Sequence, residues 1–398
     1  MKNIWLKHQY TTEGFWKRNL QRFVDFIVDL YAKFFVKRII KNESVNPQKI
    51  LFVSLGHLGD ALIGSYVFPL IHKRFQNVEL DVLTNEWCKP VLENNPYVKS
   101  IIFHNHIRGN RTNISFWRRL KQHYISSKKV LKKIRSNNYD LSIEGRISHP
   151  NGNLICYRGK IKRRIGFGSG GFGSLLTEEI SLPEAPDFHF LQAVLEEITK
   201  VGIHKKIAEI HPYFFISKKT LYKKHMFESY FDETYLIVNP ESGYPLRMMS
   251  QKFWLEIVKM ILKSGKHKIF LCGTTIKSND LYEFLILNFP GEKANVINAV
   301  QKLSIDEYFL LTEHAKLSIT VESFPAHLCS INCKTISFFK DGAGSLFFPI
   351  PNKPLAVIHN DISSRQSKIH PLILNYYVKE LESAETYSIF ENVFVNFT

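Results

Sequence analysis

Three short stretches carry side chains able to do chemistry. In "KILFVSLGHLGDALIGSYVFPLIHKRF", Lys49 to Phe75, an apolar run ends in a loop holding Gly56 and Gly59, and Asp60 stands where the next apolar segment begins. Glycines in such a loop permit a tight turn and close approach of the backbone to a ligand. The carboxylate has two readings: an N-cap that accepts backbone N–H bonds, or a general base at the carboxyl end of a strand, the edge where open α/β sheets bind ligands. Spacing alone favours the cap, because caps are common. In "GYPLRMMS", Gly243 to Ser250, Arg247 precedes a helix. It is either a solvated surface cation or an anion-binding guanidinium that can grip phosphate bidentately, with Ser242 and the Gly243 amide as further donors. In "VESFPAHL", Val321 to Leu328, the residues Glu322, Ser323, Pro325 and His327 follow an apolar run. A helix starting there would offer its N-terminus to an anion, whereas His327 taken alone reads as a structural, hydrogen-bonded histidine. Arg108, Arg111, Arg118, Arg119 and Lys121 form a basic region, extended by Arg158, Arg163 and Arg164; it suits an anionic ligand or a solvated helix face.

The elements that must position these groups alternate. "KILFVSL" reads as a strand and Asp60 to Phe75 as a helix; "VELDVLT" (78–84), "VKSIIFH" (98–104) and "YDLSIEG" (139–145) read as further strands, with a basic helix over 117–135 and another helix over 189–203. Residues 212–233 lose the rhythm and are expected to be a linker. It then restarts with strands at 235–240, 267–273, 316–323 and 334–339 and helices at 250–265, 278–289 and 304–315. Strands alternating with helices mean parallel sheets covered on both faces. The 398 residues exceed one ordinary core, so two such domains are expected.

Composition narrows the function classes. Lys plus Arg total 53 against 36 Asp plus Glu, a formal charge of +17, which favours anionic partners without choosing among nucleic acid, phosphorylated small molecules and acidic membranes. No nucleic-acid reader motif accompanies the charge, so nucleic acid is not an expected partner. "GHLGD" lacks the G-x-G-x-x-G spacing of a dinucleotide fingerprint. Five scattered cysteines without a C-x-x-C pair read as reduced, buried thiols in a cytoplasmic protein, and no zinc site is expected. No apolar run approaches the roughly 20 residues that span a bilayer. Residues 14–42 nevertheless place Leu20, Phe23, Val24, Ile27, Leu30, Tyr31 and Phe34 at helical spacing, with basic residues towards both ends and Asp25 and Asp29 in the middle. That pattern serves a helix lying in a membrane surface and a helix packed on the first domain equally well.

"ILFVSLGHLGDALIGSYVFPLI", "VELDVLTNEWCKPVLENNPYV", "KRRIGFG", "NPESGYPLRMMSQKFW" and "VESFPAHLCSI" together resemble, in order and spacing, the heptosyltransferase-like glycosyltransferases of family 9, from about Lys49 to His359. The resemblance implies an α/β GT-B fold, two Rossmann-like domains facing a central cleft, and inverting, metal-independent transfer from a nucleotide sugar. No cofactor is implied beyond that donor, usually ADP-heptose, and the acceptor is the lipopolysaccharide core or another surface glycan. The implied division is a helical extension 1–46, an acceptor domain 47–211, a linker 212–233, a nucleotide-sugar domain 234–361 and a segment 362–398 packing back towards the first domain. Asp60 would be the base, with Gly59, Arg108 and Arg111 at an anionic glycan or lipid-linked acceptor. Ser242, Gly243, Arg247, Glu322, Ser323, Pro325 and His327 would hold the donor. The place of the protein would be the cytoplasm, with peripheral contact to the inner face of the cytoplasmic membrane.

Three departures accompany the resemblance. Arg247 falls where the family usually has lysine, Glu322 where it has aspartate, and Phe324 where it has glycine. In the loop "TTIKSND" (274–280) the family often carries an acidic residue near the nucleoside, which Lys277 and Ser278 do not supply. These departures motivate an alternative, a catalytically degenerate GT-B scaffold that binds a glycan or a partner protein.

Overall fold

A computed structural model describes residues 15–36, 46–104, 115–147, 150–182, 188–225, 234–265, 267–340 and 344–398. The chain forms two compact units, Met1–Lys206 and Ile207–Thr398.

The first unit holds a six-stranded parallel sheet in the order β3-β2-β1-β4-β5-β6. Its strands are β1 (Lys49–Ser54), β2 (Glu79–Thr84), β3 (Ser100–Phe103), β4 (Leu141–Glu144), β5 (Arg163–Phe167) and β6 (Glu178–Ile180). β1 is central: Leu51 lies beside Asp81 on β2 and Ser142 on β4. Five of the six β1 residues are buried, as expected of a strand covered on both faces. Leu51 and Val53 pack with Val130 and Ile134 of the long helix Phe116–Asn137. The helix expected over 60–75 is two helices, Leu58–Ser65 and Phe68–Arg74. Pro69 explains the break, since a ring without an N–H fits a first helical turn and not a helix interior.

The second unit holds seven parallel strands in the order β13-β12-β11-β10-β7-β8-β9. They are β7 (Tyr235–Asn239), β8 (Lys268–Leu271), β9 (Val296–Asn298), β10 (Leu317–Val321), β11 (Lys334–Phe339), β12 (Leu355–His359) and β13 (Ile373–Tyr377). Phe253 and Trp254 of the helix Gln251–Lys263 meet Phe338 of β11 edge to face at 4.9 and 6.2 Å. The helix Ala384–Phe397 closes that core with Phe390, Val393, Phe394 and Phe397, so the end of the segment 362–398 completes the second unit. Part of the expected linker is also built into it. Ser217 donates its N–H to Asp306 at 2.8 Å, and Lys223 and Lys224 pair with Glu307 and Glu313 at 2.7 and 2.8 Å. Strands β6, β9, β12 and β13 and the helices Pro150–Arg158 and Ala384–Phe397 have no counterpart in the pattern reading. All five cysteines are free and buried, in line with the expectation of reduced core thiols. No described helix is long and apolar enough to cross a membrane.

The first unit buries two carboxyl groups, Glu144 at the end of β4 and Glu197 on the helix Phe190–Thr199, whose oxygens find no hydrogen bond among the described residues. Burial pushes both well above the ordinary carboxyl range; Arg146 opposes the shift at Glu144, and the Glu144 charge adds to it at Glu197. A folded state that keeps protons the unfolded chain releases loses stability as pH rises above the unfolded value. Glu197→Gln removes one of these groups. Its melting temperature is expected to exceed that of the parent by several degrees at pH 8, roughly what a gain of 1–2 kcal/mol gives, with little difference at pH 5. Thermal melts at the two pH values check this.

Candidate functional site

In the first unit the site forms where β1 and β4 end side by side. Asp60 is the third residue of the helix Leu58–Ser65 and is 6 % exposed. Its Oδ2 accepts the His57 N–H at 2.8 Å and lies 3.2 Å from the Arg146 guanidinium. Asp60 is therefore not the N-cap that spacing favours: His57 holds that place, and Asp60 returns one oxygen to its N–H as the far half of a capping box. Arg146 follows β4 by two residues and also points at the Leu55 carbonyl, 3.4 Å away. It was missed in the sequence; the signal available was a cation just past the strand "LSIE". Gly59 lies in the first turn of the same helix. Arg108 and Arg111 lie outside the described residues.

Gly56 sets the position of the carboxylate. A Cβ there would overlap Asp60 Oδ2 and crowd its Cβ and Cγ. The Gly56 carbonyl accepts Asn85 Nδ2 at 2.9 Å and Trp87 Nε1 at 3.3 Å, so the turn cannot simply yield. Sequence reasoning gave this glycine a general role in a tight turn; the structure makes it the wall against which the acid rests.

In the second unit the carboxyl ends of β7 and β10, again neighbours, gather the other group of residues. Ser242 follows β7 and donates its Oγ proton to the Glu322 carbonyl at 3.0 Å, while the Tyr244 N–H reaches Ser242 Oγ at 3.3 Å. Gly243 is exposed between them. Arg247 closes a single turn over Pro245–Arg247; its guanidinium lies 3.1 Å from Glu322 Oε1 and 5.7 Å from the Tyr244 ring centroid. The ion pair is a charge contact rather than an aligned hydrogen bond, since neither Glu322 Oε1 nor Arg247 Nε has a hydrogen-bond partner among the described residues. Glu322 is 3 % exposed, and burial pushes its carboxyl up to about 7, with Arg247 opposing and Asp361 adding to the rise.

Ser323 stands at the N-cap of the helix Phe324–Asn332, but its hydroxyl donates to the Val321 carbonyl at 3.2 Å and makes no cap bond. Phe324 is the first helical residue, half-buried, and Pro325 occupies the first turn. His327 is buried on the same helix, where its carbonyl accepts Ser330 Oγ at 3.0 Å. The structure thus brings Ser242, Arg247 and Glu322 into contact and sets Ser323, Pro325 and His327 on the adjoining helix start.

A second residue missed in the sequence is Glu241. It accepts the Thr274 N–H at 2.6 Å, the Thr274 hydroxyl at 2.9 Å, the Thr275 N–H at 3.1 Å and the Ser278 hydroxyl at 3.0 Å. Burial works against its charge, but those donors outweigh it and hold the carboxyl below its ordinary value. The carboxylate after β7 thus binds the loop "TTIKSND" and anchors the start of the helix Ile276–Asn288. A cavity of about 460 Å³ opens beside the Arg247 turn, lined by Pro240, Pro245, Met248, Trp254, Lys277 and Lys340 among others, and its lining does not include Arg247, Glu322 or His327.

Gly56→Ala is the direct check of the Asp60 placement. Crowding a filled site of this kind costs about 1–3 kcal/mol, so a drop of that size in denaturant stability is expected. Unchanged stability would mean that Asp60 moves aside freely.

Comparison with known proteins follows the same lines. The family described as Glycosyltransferase family 9 (heptosyltransferase) matches residues 127–370. No curated protein matches the chain. Among solved structures, ADP-heptose lipopolysaccharide heptosyltransferase II of E. coli is similar with a TM-score of 0.64 at 15% identity, over 88% of this chain and 98% of that one. The family 9 glycosyltransferase of Veillonella parvula gives 0.63 at 13%, over 88% and 91%. E. coli heptosyltransferase WaaC with ADP-2-deoxy-2-fluoro heptose gives 0.61 at 14%, over 88% and 100%. Identities this low speak for the fold: two parallel α/β units of the GT-B class.

Proposed function

The chain belongs to glycosyltransferase family 9, and we propose that within it the protein is an inverting, metal-independent transferase that moves a sugar from a nucleotide-sugar donor to a surface-glycan acceptor. The observation that carries this reading is the Asp60 carboxylate, fixed by Gly56, His57 and Arg146 at the junction of β1 and β4. Transfer with inversion needs a base beside the acceptor hydroxyl, and Asp60 fills that role. It takes the hydroxyl proton as the acceptor oxygen attacks the anomeric carbon from the face opposite the leaving group. The bond from that carbon to the diphosphate oxygen breaks, and the nucleoside diphosphate departs with the bonding electron pair. Arg146 holds the carboxylate in place, and it is the negative charge of that carboxylate that favours an oxocarbenium-like transition state.

Ser242, the Gly243 amide, Arg247, Ser323, Pro325 and His327 form the donor side, with Glu322 as the residue that holds Arg247 before the diphosphate arrives. ADP-heptose is the donor favoured by the family, and the two E. coli heptosyltransferases similar to this chain carry ADP-heptose or an analogue in their names. The acceptor is a lipopolysaccharide core or a related anionic glycan, reached from the cytoplasm with Gly59, Arg108 and Arg111 on the acceptor side. One observation favours a second reading, a scaffold that binds without catalysis: Arg247 is already paired with Glu322, and Phe324 occupies the helix start where the family has glycine.

Two experiments separate the readings. Asp60→Asn is expected to lower sugar transfer by about 10²- to 10⁴-fold while donor binding, followed by calorimetry, persists. Full activity of that variant would remove Asp60 from the chemistry. The second concerns pH. Diphosphate and the Glu322 carboxylate compete for Arg247, and Glu322 becomes neutral as pH falls through about 7. Donor binding is therefore expected to tighten from pH 8 to pH 6, and Glu322→Gln is expected to bind tightly at both. A donor affinity that ignores both pH and the substitution would remove the Arg247–Glu322 pair from donor binding, and no donor binding at either pH would support the non-catalytic scaffold.

A further inference from the structure

The first helix of the chain is mounted with its polar side inward. Along Phe15–Phe35, Gln21, Asp25, Asp29 and Ala32 form one stripe at helical spacing that faces the rest of the first unit, with Tyr31 reaching it from the side. Gln21 Nε2 donates to the Gly170 carbonyl at 2.5 Å, Asp25 Oδ1 accepts the Phe172 N–H at 3.0 Å, and Asp29 accepts the Ser174 hydroxyl. Asp25 is only 2 % exposed. The loop is shaped for this contact. Gly171 has φ +105°, in the region only glycine adopts easily, and a Cβ there would come within 3.1 Å of Asp25 Oδ1 and Gln21 Nε2.

The opposite stripe is large, apolar and bare. Trp16 is 83 % exposed and Phe34 72 %, and Leu20, Phe23, Ile27 and Leu30 between them are all more than half exposed. A water-facing helix of a globular protein has the reverse arrangement, apolar side in and charged side out. With both aspartates turned into the loop, every other charged residue of this helix, Lys17, Arg18, Arg22 and Lys33, is basic. Next to it the short helix Pro150–Arg158 touches two elements. Its Tyr157 hydroxyl lies 2.8 Å from that of Tyr31, and the Arg158 carbonyl accepts Arg135 Nε from the helix Phe116–Asn137. That third helix exposes Phe116, Trp117 and Tyr124 among Arg118, Lys121, Lys128 and Lys132.

We infer that the Phe15–Phe35 helix lies in the plane of an anionic phospholipid bilayer, clamped to the first unit by Gln21, Asp25 and Asp29, with its Trp16–Phe34 stripe among the acyl chains and the flanking cations at the headgroups. The partner is specified by the chemistry: apolar burial needs a hydrocarbon layer, and the exposed cations beside the stripe, Lys33 and those of the helix Phe116–Asn137, need an anionic surface. The two aspartates, which rule out a spanning helix, are the device that turns the greasy face outward. This inference rests on the first unit alone and holds whichever sugar, if any, is transferred.

The test uses the full chain with sedimented vesicles of phosphatidylcholine alone or mixed with phosphatidylglycerol. Expected are binding to the mixed vesicles that weakens in high salt, a blue shift of tryptophan fluorescence, and loss of about tenfold or more in partitioning for Ile27→Glu combined with Leu30→Glu. Both positions are exposed, so the melting temperature of the variant should match the parent and serves as the folding control. Equal binding by parent and variant, or no vesicle binding by the parent, would overturn the inference. So would a concentration-dependent dimer that the variant abolishes without lipid, since a second copy of the chain would then cover the stripe. Transfer to a water-soluble acceptor is read separately, so failure of the sugar-transfer reading leaves this result intact.

Discussion

Parallel strand direction is the constraint on which both halves of this protein depend. When every strand of a sheet runs the same way, all the carboxyl ends emerge at one edge, and only spatially adjacent strands bring their following loops into contact. In the first unit β1 lies between β2 and β4, and in the second β7 lies between β8 and β10. At each place the order of strands reverses, leaving a crevice that no crossover helix fills. Asp60 after β1 meets Arg146 after β4; Ser242 and Arg247 after β7 meet Glu322 after β10. Glu241 uses the other neighbour and meets the loop after β8. Chemistry-bearing residues 33 positions apart, as Glu241 and Thr274 are, or 80 apart, as Ser242 and Glu322 are, are joined by the sheet, not by local sequence.

The charges at these edges are already matched. Asp60 has Arg146, Arg247 has Glu322, and Glu241 has the amides and hydroxyls of residues 274–278. Pairing of this kind keeps a buried or half-buried charge from standing alone, which would cost far more than the pair contributes. The high net charge of the chain says nothing of this: the cations at the sheet edges are locally compensated, and much of the surplus sits on exposed helices such as Phe116–Asn137.

Structural price and functional use meet again in the first unit's interior. Glu144 and Glu197 are buried without hydrogen-bond partners among the described residues, two residues from Arg146 in the case of Glu144. Acids in such surroundings stay neutral more easily than they find a partner, and the structure tolerates them close to the edge that carries Asp60. Among the described residues the second unit's core shows no such pair; it is built on aromatic rings packed edge to face or tilted around Phe338.

Sequence by itself determined the alternation of elements, the two α/β units, the reduced cysteines and the three stretches that end at the sheet edges, because each rests on periodicity or on residue type within a few positions. Strands β6 and β13 escaped because short, partly exposed edge strands carry little of that pattern, and the helix break at Pro69 escaped because apolar spacing ran through it. Only tertiary structure decided which distant charges pair. Arg146 and Glu241 look like any polar residue after a strand until the strand order places Asp60 and Thr274 beside them. It decided as well which way the first helix faces. Amphipathicity is a property of the helix alone, whereas the choice of the aspartate stripe for the inner side was made by the loop Gly168–Ser174, which offers those carboxylates the Phe172 N–H and the Ser174 hydroxyl.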